Sequence, residues 1–138
     1  MTKIRITKSF SFETGHALYG YDGLCKNVHG HSYKLDVTVI GTPIKDSNNV
    51  KFGMVIDFKD LKKIVKSEIV EVFDHATVFN QNTPHVELAQ TLKDSGHKVL
   101  LVDYQPTSEE MIIDFAFKIK AKLPSSIQLH HLRLQETA

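Results

Sequence analysis

Between residues 4 and 12 apolar and polar side chains alternate. Ile4, Ile6, Phe10 and Phe12 fall on one face; Arg5, Thr7, Ser9 and Ser11 fall on the other. A period of two predicts a strand with one buried side. The alternation returns at Tyr33, Leu35, Val37 and Val39, set against Lys34, Asp36 and Thr38, and Gly41-Thr42-Pro43 ends it. Residues 44–53 are polar, contain Asn48-Asn49 and read as a loop. From there the period changes. Phe58, Leu61, Ile64, Val65, Val72 and Phe73 recur at helical spacing behind Asp57, a suitable N-cap, which predicts a helix to about Phe73.

Further along, the pattern near 86–94 allows a second short helix, and Val99-Leu100-Leu101-Val102 has the length of a buried strand. Pro106-Thr107-Ser108-Glu109-Glu110 is a helix start, with Thr107 and Glu110 spaced as a capping box. Met111, Ile112, Phe115, Ile119 and Leu123 form the apolar face of that helix, and Pro124-Ser125-Ser126 stops it. Ile127, Leu129, Leu132 and Leu134 define a last strand whose phase slips at His130-His131, the mark of a bulge. The order is strand, strand, helix, minor insert, helix, strand. It predicts an α+β fold with an antiparallel sheet. Without repeats, low-complexity tracts or a linker, residues 1–138 read as a single domain.

Composition narrows the function. A net charge of +1 leaves no electrostatic footprint for nucleic acid or a membrane surface, so an anionic substrate must be met by locally placed Lys, Arg or His. No stretch is long and apolar enough to span a bilayer. The N-terminal residues alternate and lack the apolar run of a signal peptide. Cys25 is the only cysteine, which excludes an internal disulfide, and the expected location is the cytoplasm.

The chain has eight histidines, and their placement matters more than their number. His29 and His31 lie two apart, in phase with the apolar face from Tyr33 to Val39. His16 has the even phase of Ile4 to Phe12. If the two strands pair as a hairpin, three imidazoles converge at one end of the buried face. Three His around Zn²⁺ leave a position open for water or substrate, as in catalytic sites. The same spacing also suits hydrogen-bonded core histidines, and spacing alone leaves both readings open. Cys25 could act as a thiolate beside a cation, or as a small buried hydrophobe. Asp74-His75 offers a carboxylate–imidazole pair for proton transfer, or a solvated helix end. Glu136 shares the phase of Leu132 and Leu134, where a carboxylate needs a partner or a ligand donor such as a guanidine-like edge.

Taken in order, these pieces form a longer pattern. It runs Phe12-x3-His16, then Cys25-x3-His29-Gly30-His31, then Val55-Ile56-Asp57-Phe58-x2-Leu61-Lys62. Asp74-His75, Asn80, Pro106-Thr107-Ser108-Glu109 and Gln135-Glu136-Thr137 follow. The pattern resembles the 6-pyruvoyl-tetrahydropterin synthase family, which includes the bacterial 6-carboxy-tetrahydropterin synthases of queuosine and 7-deazaguanine biosynthesis. The resemblance implies the tunnelling fold (T-fold), with two main helices packed on one face of an antiparallel sheet. It implies a homo-oligomer, a trimer or a dimer of trimers, with active sites between subunits. It makes His16, His29 and His31 the Zn²⁺ ligands and Cys25 the catalytic base. Asp74 and His75 complete the catalytic set, Glu136 anchors the pterin's amino-pyrimidine edge, and Thr107 and Ser108 line that pocket.

The family substrate is 7,8-dihydroneopterin triphosphate. Three residues separate Cys25 from His29. That spacing resembles the 6-carboxy branch, which releases triphosphate and acetaldehyde. The animal biopterin-pathway enzymes, with 6-pyruvoyl products, have a longer spacing. A catalytically silent zinc-binding module is the alternative of another class, and the joint presence of Cys25, Asp74, His75 and Glu136 argues against it. Lys26, His85 and Lys98 are candidates for the triphosphate. The insert near 84–104, with His85, Glu87 and His97, is longer than in compact members. Relatives usually continue past the position of Ala138 into a last strand; if the natural protein ends there, sheet closure and the pocket around Glu136 are in question, and a truncated sequence is the alternative.

Overall fold

The computed structural model describes residues 2–137. Five strands, β1 (Ile4–His16), β2 (His29–Gly41), β3 (Ala76–Asn80), β4 (Val99–Val102) and β5 (Gln128–Thr137), form one sheet in the order β4-β3-β1-β2-β5. Strand β1 (Ile4–His16) and strand β2 (His29–Gly41) pair antiparallel along their whole length, from Ile4 opposite Gly41 to His16 opposite His29. The alternating residues meet the core as their phase requires. Phe10, Phe12, Tyr33, Leu35, Val37 and Val39 are buried. The pairing continues past the apolar alternation, and this carries the histidines into the ladder.

Strand β5 (Gln128–Thr137) lies antiparallel on the other side of β2. Its register shifts where Thr38 faces His131 and Val39 faces Leu129, leaving His130 as the extra residue of a bulge. Pairing extends to Ser32 opposite Thr137, and Glu136 sits opposite Tyr33. Glu136 thus stands within a ladder.

Helix α1 (Phe58–Val65) starts where Asp57 accepts the Lys59 N–H at 2.9 Å, and Lys51 forms an ion pair with the same cap. It continues through a wider π-type turn, Lys66–Val70, and a last turn, Glu71–Phe73. Helix α3 (Ser108–Lys122) starts where Thr107 Oγ1 accepts the Glu110 N–H at 3.2 Å. It ends at an extended Leu123, the backbone a residue before proline prefers. Leu61, Val65, Ile69 and Phe73 meet Met111, Phe115 and Ile119 over the sheet, all without solvent exposure. Phe115 meets both Phe12 and Phe73 edge to face, with Phe73 and Phe115 centroids 4.9 Å apart, and Phe12 and Phe73 lie tilted to each other.

Two features depart from the sequence reading. Strand β3 (Ala76–Asn80) had no predicted counterpart, and it runs parallel to β1. Strand β4 (Val99–Val102) runs parallel to β3. The sheet is thus antiparallel over β1, β2 and β5 and is extended by two parallel strands. Parallel neighbours need a crossover, and helix α2 (His85–Asp94) supplies it. This is the structural use of the 84–104 insert. Ala89 and Leu92 pack with Ala17, Phe79 and Val99 in a second, smaller core. No helix among the described residues is long and apolar enough to cross a membrane.

Candidate metal and substrate site

His16 closes β1 and His29 opens β2, so the ladder itself sets these two rings side by side; His31 follows one alternation later. Their ligand atoms lie within 4.8 Å of one another. His16 is 3% exposed. Its Nδ1 stands 2.6 Å from the Pro106 carbonyl, and His29 Nδ1 stands 2.6 Å from the Asn27 carbonyl. A carbonyl only accepts, so in both rings Nδ1 carries the proton and Nε2 presents a lone pair. Those two Nε2 atoms face each other at 3.1 Å. Two lone pairs at that distance repel unless a cation lies between them.

Burial, the largest influence, holds the His16 pKa below its ordinary 6.5, against the opposing hydrogen bond to Pro106. A neutral ring with its outer nitrogen locked by a carbonyl is the condition for ligating zinc. Together with His31, whose ligand atom lies within 4.8 Å of theirs, His16 and His29 form a group that could hold a metal ion. Pro106, immediately ahead of the helix start, had not been singled out for this role; only its backbone acts, which no residue pattern reveals.

Beside the cluster lies Glu136. Its Oε1 is 2.6 Å from His31 Nε2 and 3.7 Å from His16 Nε2. The Ser108 hydroxyl donates to Oε2 at 3.0 Å, and the Tyr33 hydroxyl donates to Oε1 at 3.5 Å. Burial, then the Glu136 charge, push the Tyr33 pKa well above its ordinary value, so the phenol stays a donor. Tyr33 was missed as a site residue, although its phase with His29 and His31 placed it on the same face. The Thr107 hydroxyl oxygen accepts the Glu110 N–H at the start of helix α3.

The other candidates occupy exposed ground. Cys25 lies in a single 3-10 turn, Leu24–Lys26, on the loop between β1 and β2, with its thiol free. Asp74 and His75 follow the last turn of α1. Asp74 Oδ1 accepts the Glu13 N–H at 2.9 Å and lies 3.0 Å from His75 Nδ1. The Glu13 N–H is the main reason the Asp74 pKa is lowered. The His75 side chain is 77% exposed.

Two of the triphosphate candidates are engaged elsewhere. Lys98 Nζ donates to the carbonyls of Glu71 and Asp74. The His85 ring packs edge-on against Tyr19 and Phe79. Lys26 is exposed.

Residues 5–138 match the sequence profile of the family described as 6-pyruvoyl tetrahydropterin synthase. A Haemophilus influenzae protein named 6-carboxy-5,6,7,8-tetrahydropterin synthase is 40% identical over 134 residues, which cover 96% of this chain and 92% of that protein. Among solved structures, an uncharacterized protein from Wolinella succinogenes superposes with a TM-score of 0.76 at 18% identity, covering 99% of this chain and 94% of the other. The Caenorhabditis elegans 6-pyruvoyl tetrahydropterin synthase superposes with a TM-score of 0.61 at 23% identity, covering 100% and 98%. At such identities these structures speak for the fold, which is the tunnelling fold.

Proposed function

Since the chain belongs to the 6-pyruvoyl tetrahydropterin synthase family, we propose that it is a zinc-dependent lyase of the 6-carboxy branch. Its substrate is 7,8-dihydroneopterin triphosphate and its product 6-carboxy-5,6,7,8-tetrahydropterin, with triphosphate and acetaldehyde released. The observation that carries the zinc is the pair of Nε2 atoms on His16 and His29, facing at 3.1 Å with both Nδ1 atoms committed to carbonyls. The identity to the Haemophilus relative and the short spacing from Cys25 to His29 support the 6-carboxy branch.

When bound, zinc supplies Lewis acidity to the substrate's side-chain oxygens, which eases removal of neighbouring protons. The protein's own groups do the rest. Cys25 takes a proton as thiolate. His75, oriented by the Asp74 carboxylate at 3.0 Å, gives or takes another. Glu136 accepts the two parallel N–H groups of the pterin's amino-pyrimidine edge. Ser108 and Tyr33 hold the carboxylate in place for that pairing. His16, His29 and His31 would hold the zinc, and Glu136 parts from His31 to receive the pterin.

The exposure of Cys25, Asp74 and His75 supports a site completed between subunits, in a trimer or a dimer of trimers. The proposal places one catalytic domain over residues 1–138, working in the cytoplasm within the queuosine and 7-deazaguanine pathway. The test is product identification by mass after incubating zinc-loaded protein with 7,8-dihydroneopterin triphosphate. Carboxy-pterin with acetaldehyde supports the proposal. A pyruvoyl-pterin without acetaldehyde moves the protein to the biopterin-type branch.

A further inference from the structure

Among the described residues His75 is the only non-glycine residue with a positive φ, at 60°. A side chain in the left-handed region persists only where its surroundings hold it. One support comes from β1. The His75 N–H donates to the Glu13 carbonyl at 2.6 Å, and the Glu13 N–H donates to Asp74. The second support comes from outside both α1 and β1. Lys98, just ahead of β4, places its ammonium 2.7 Å from the Glu71 carbonyl and 2.6 Å from the Asp74 carbonyl.

These carbonyls belong to the end of a helix, where acceptors lack intrahelical partners and a cation is favoured. The Lys98 backbone is fixed as well, since its carbonyl accepts the Thr77 N–H at 3.1 Å. Lys98 therefore grips the chain on both sides of His75, by its side chain at Asp74 and by its main chain at Thr77. Its side chain reaches these carbonyls across an exposed surface and fills no core, so the fold does not depend on it for packing.

We infer that Lys98 is a positioning residue that holds the Asp74–His75 pair in its left-handed turn. The inference rests on the proposed role of that pair in proton transfer. It assigns the insert a part in catalysis, exerted through the peptide of Asp74 and not through the substrate.

The test compares zinc-loaded Lys98→Met, Lys98→Arg, His75→Ala and the double variant Lys98→Met/His75→Ala in turnover of 7,8-dihydroneopterin triphosphate. Lys98→Met should lower kcat by about tenfold to a hundredfold, the loss that follows from misplacing a reacting group. KM and zinc content should be unchanged, and the His75 amide should exchange hydrogen faster. Lys98→Arg, which keeps the donors, should recover most of kcat. In the His75→Ala background Lys98→Met should cost nothing more, as residues acting through one another are non-additive.

Wild-type kcat in Lys98→Met beside an inactive His75→Ala overturns the inference and leaves the proposed function standing. An equal loss in both backgrounds, or loss of zinc in Lys98→Met, also overturns it, because the role is then structural. Full turnover by His75→Ala instead removes the catalytic pair itself, and the inference with it.

Discussion

The carboxylate of Glu136 lies 2.6 Å from Nε2 of His31. A group assigned to the substrate and a group assigned to the metal thus share one point in space, at the junction of β2 and β5. On the proposed function, the zinc site and the pterin site meet at that pair.

Replacing Glu136 by Gln should separate the two. The amide keeps the shape but offers only one acceptor, and a charged partner is lost. Hydrogen bonds to charged groups are worth about 1.5–3 kcal/mol, so KM should rise by roughly tenfold to a hundredfold. Zinc content should be retained. Steady-state kinetics beside metal analysis checks both, and an unchanged KM would remove Glu136 from the pterin edge.

Cys25→Ala should leave zinc in place and reduce kcat by about 10²–10⁴-fold, the usual contribution of a proton-transfer group. Its thiol is exposed, so the melting temperature should hardly move. Full activity in this variant would free Cys25 from its assigned role.

The pH dependence follows from His16. Its folded pKa lies below the ordinary 6.5, chiefly through burial. The unfolded chain therefore binds its proton first as pH falls. Stability is fully present above about 6.5 and is lost as pH drops through the lower folded value. Zinc, which needs the neutral ring, should be released over the same range. Denaturant midpoints of metal-free protein should fall from neutral to mildly acidic pH, and His16→Gln should flatten that slope. An equal slope in both proteins would contradict this origin.

Phe115 is fully buried and contacts Phe12 and Phe73 edge to face. Phe115→Ala should destabilise the protein by about 3–5 kcal/mol, measured by chemical unfolding. A loss under about 1 kcal/mol would mean that the core closes over the gap.

Much of this architecture could be read from residue patterns because the long elements repeat their period many times. Phe10 to Phe12 and Tyr33 to Val39 alternate without a break, and Asp57 and Thr107 both act as the caps they resemble. The bulge at His130 was visible as a phase slip. Strand β3 was not, because its five residues after Asp74-His75 carry too few alternations to declare a period. The parallel extension of the sheet stayed hidden for the same reason. The three histidines were legible from phase, whereas the carbonyls of Pro106 and Asn27 that orient them were not, since any residue type supplies a carbonyl. Lys98 looked like a free cation for phosphate; its tie to Glu71 and Asp74 depends on where β4 lies.

The most direct measurement is turnover of 7,8-dihydroneopterin triphosphate by protein stripped with a chelator and then titrated with zinc. Stripped protein should be inactive, activity should return in proportion to zinc bound at one ion per chain, and His16→Ala should neither bind the ion nor recover. Full turnover by the stripped wild-type protein, or zinc-restored activity in His16→Ala, would contradict a zinc centre built on His16, His29 and His31.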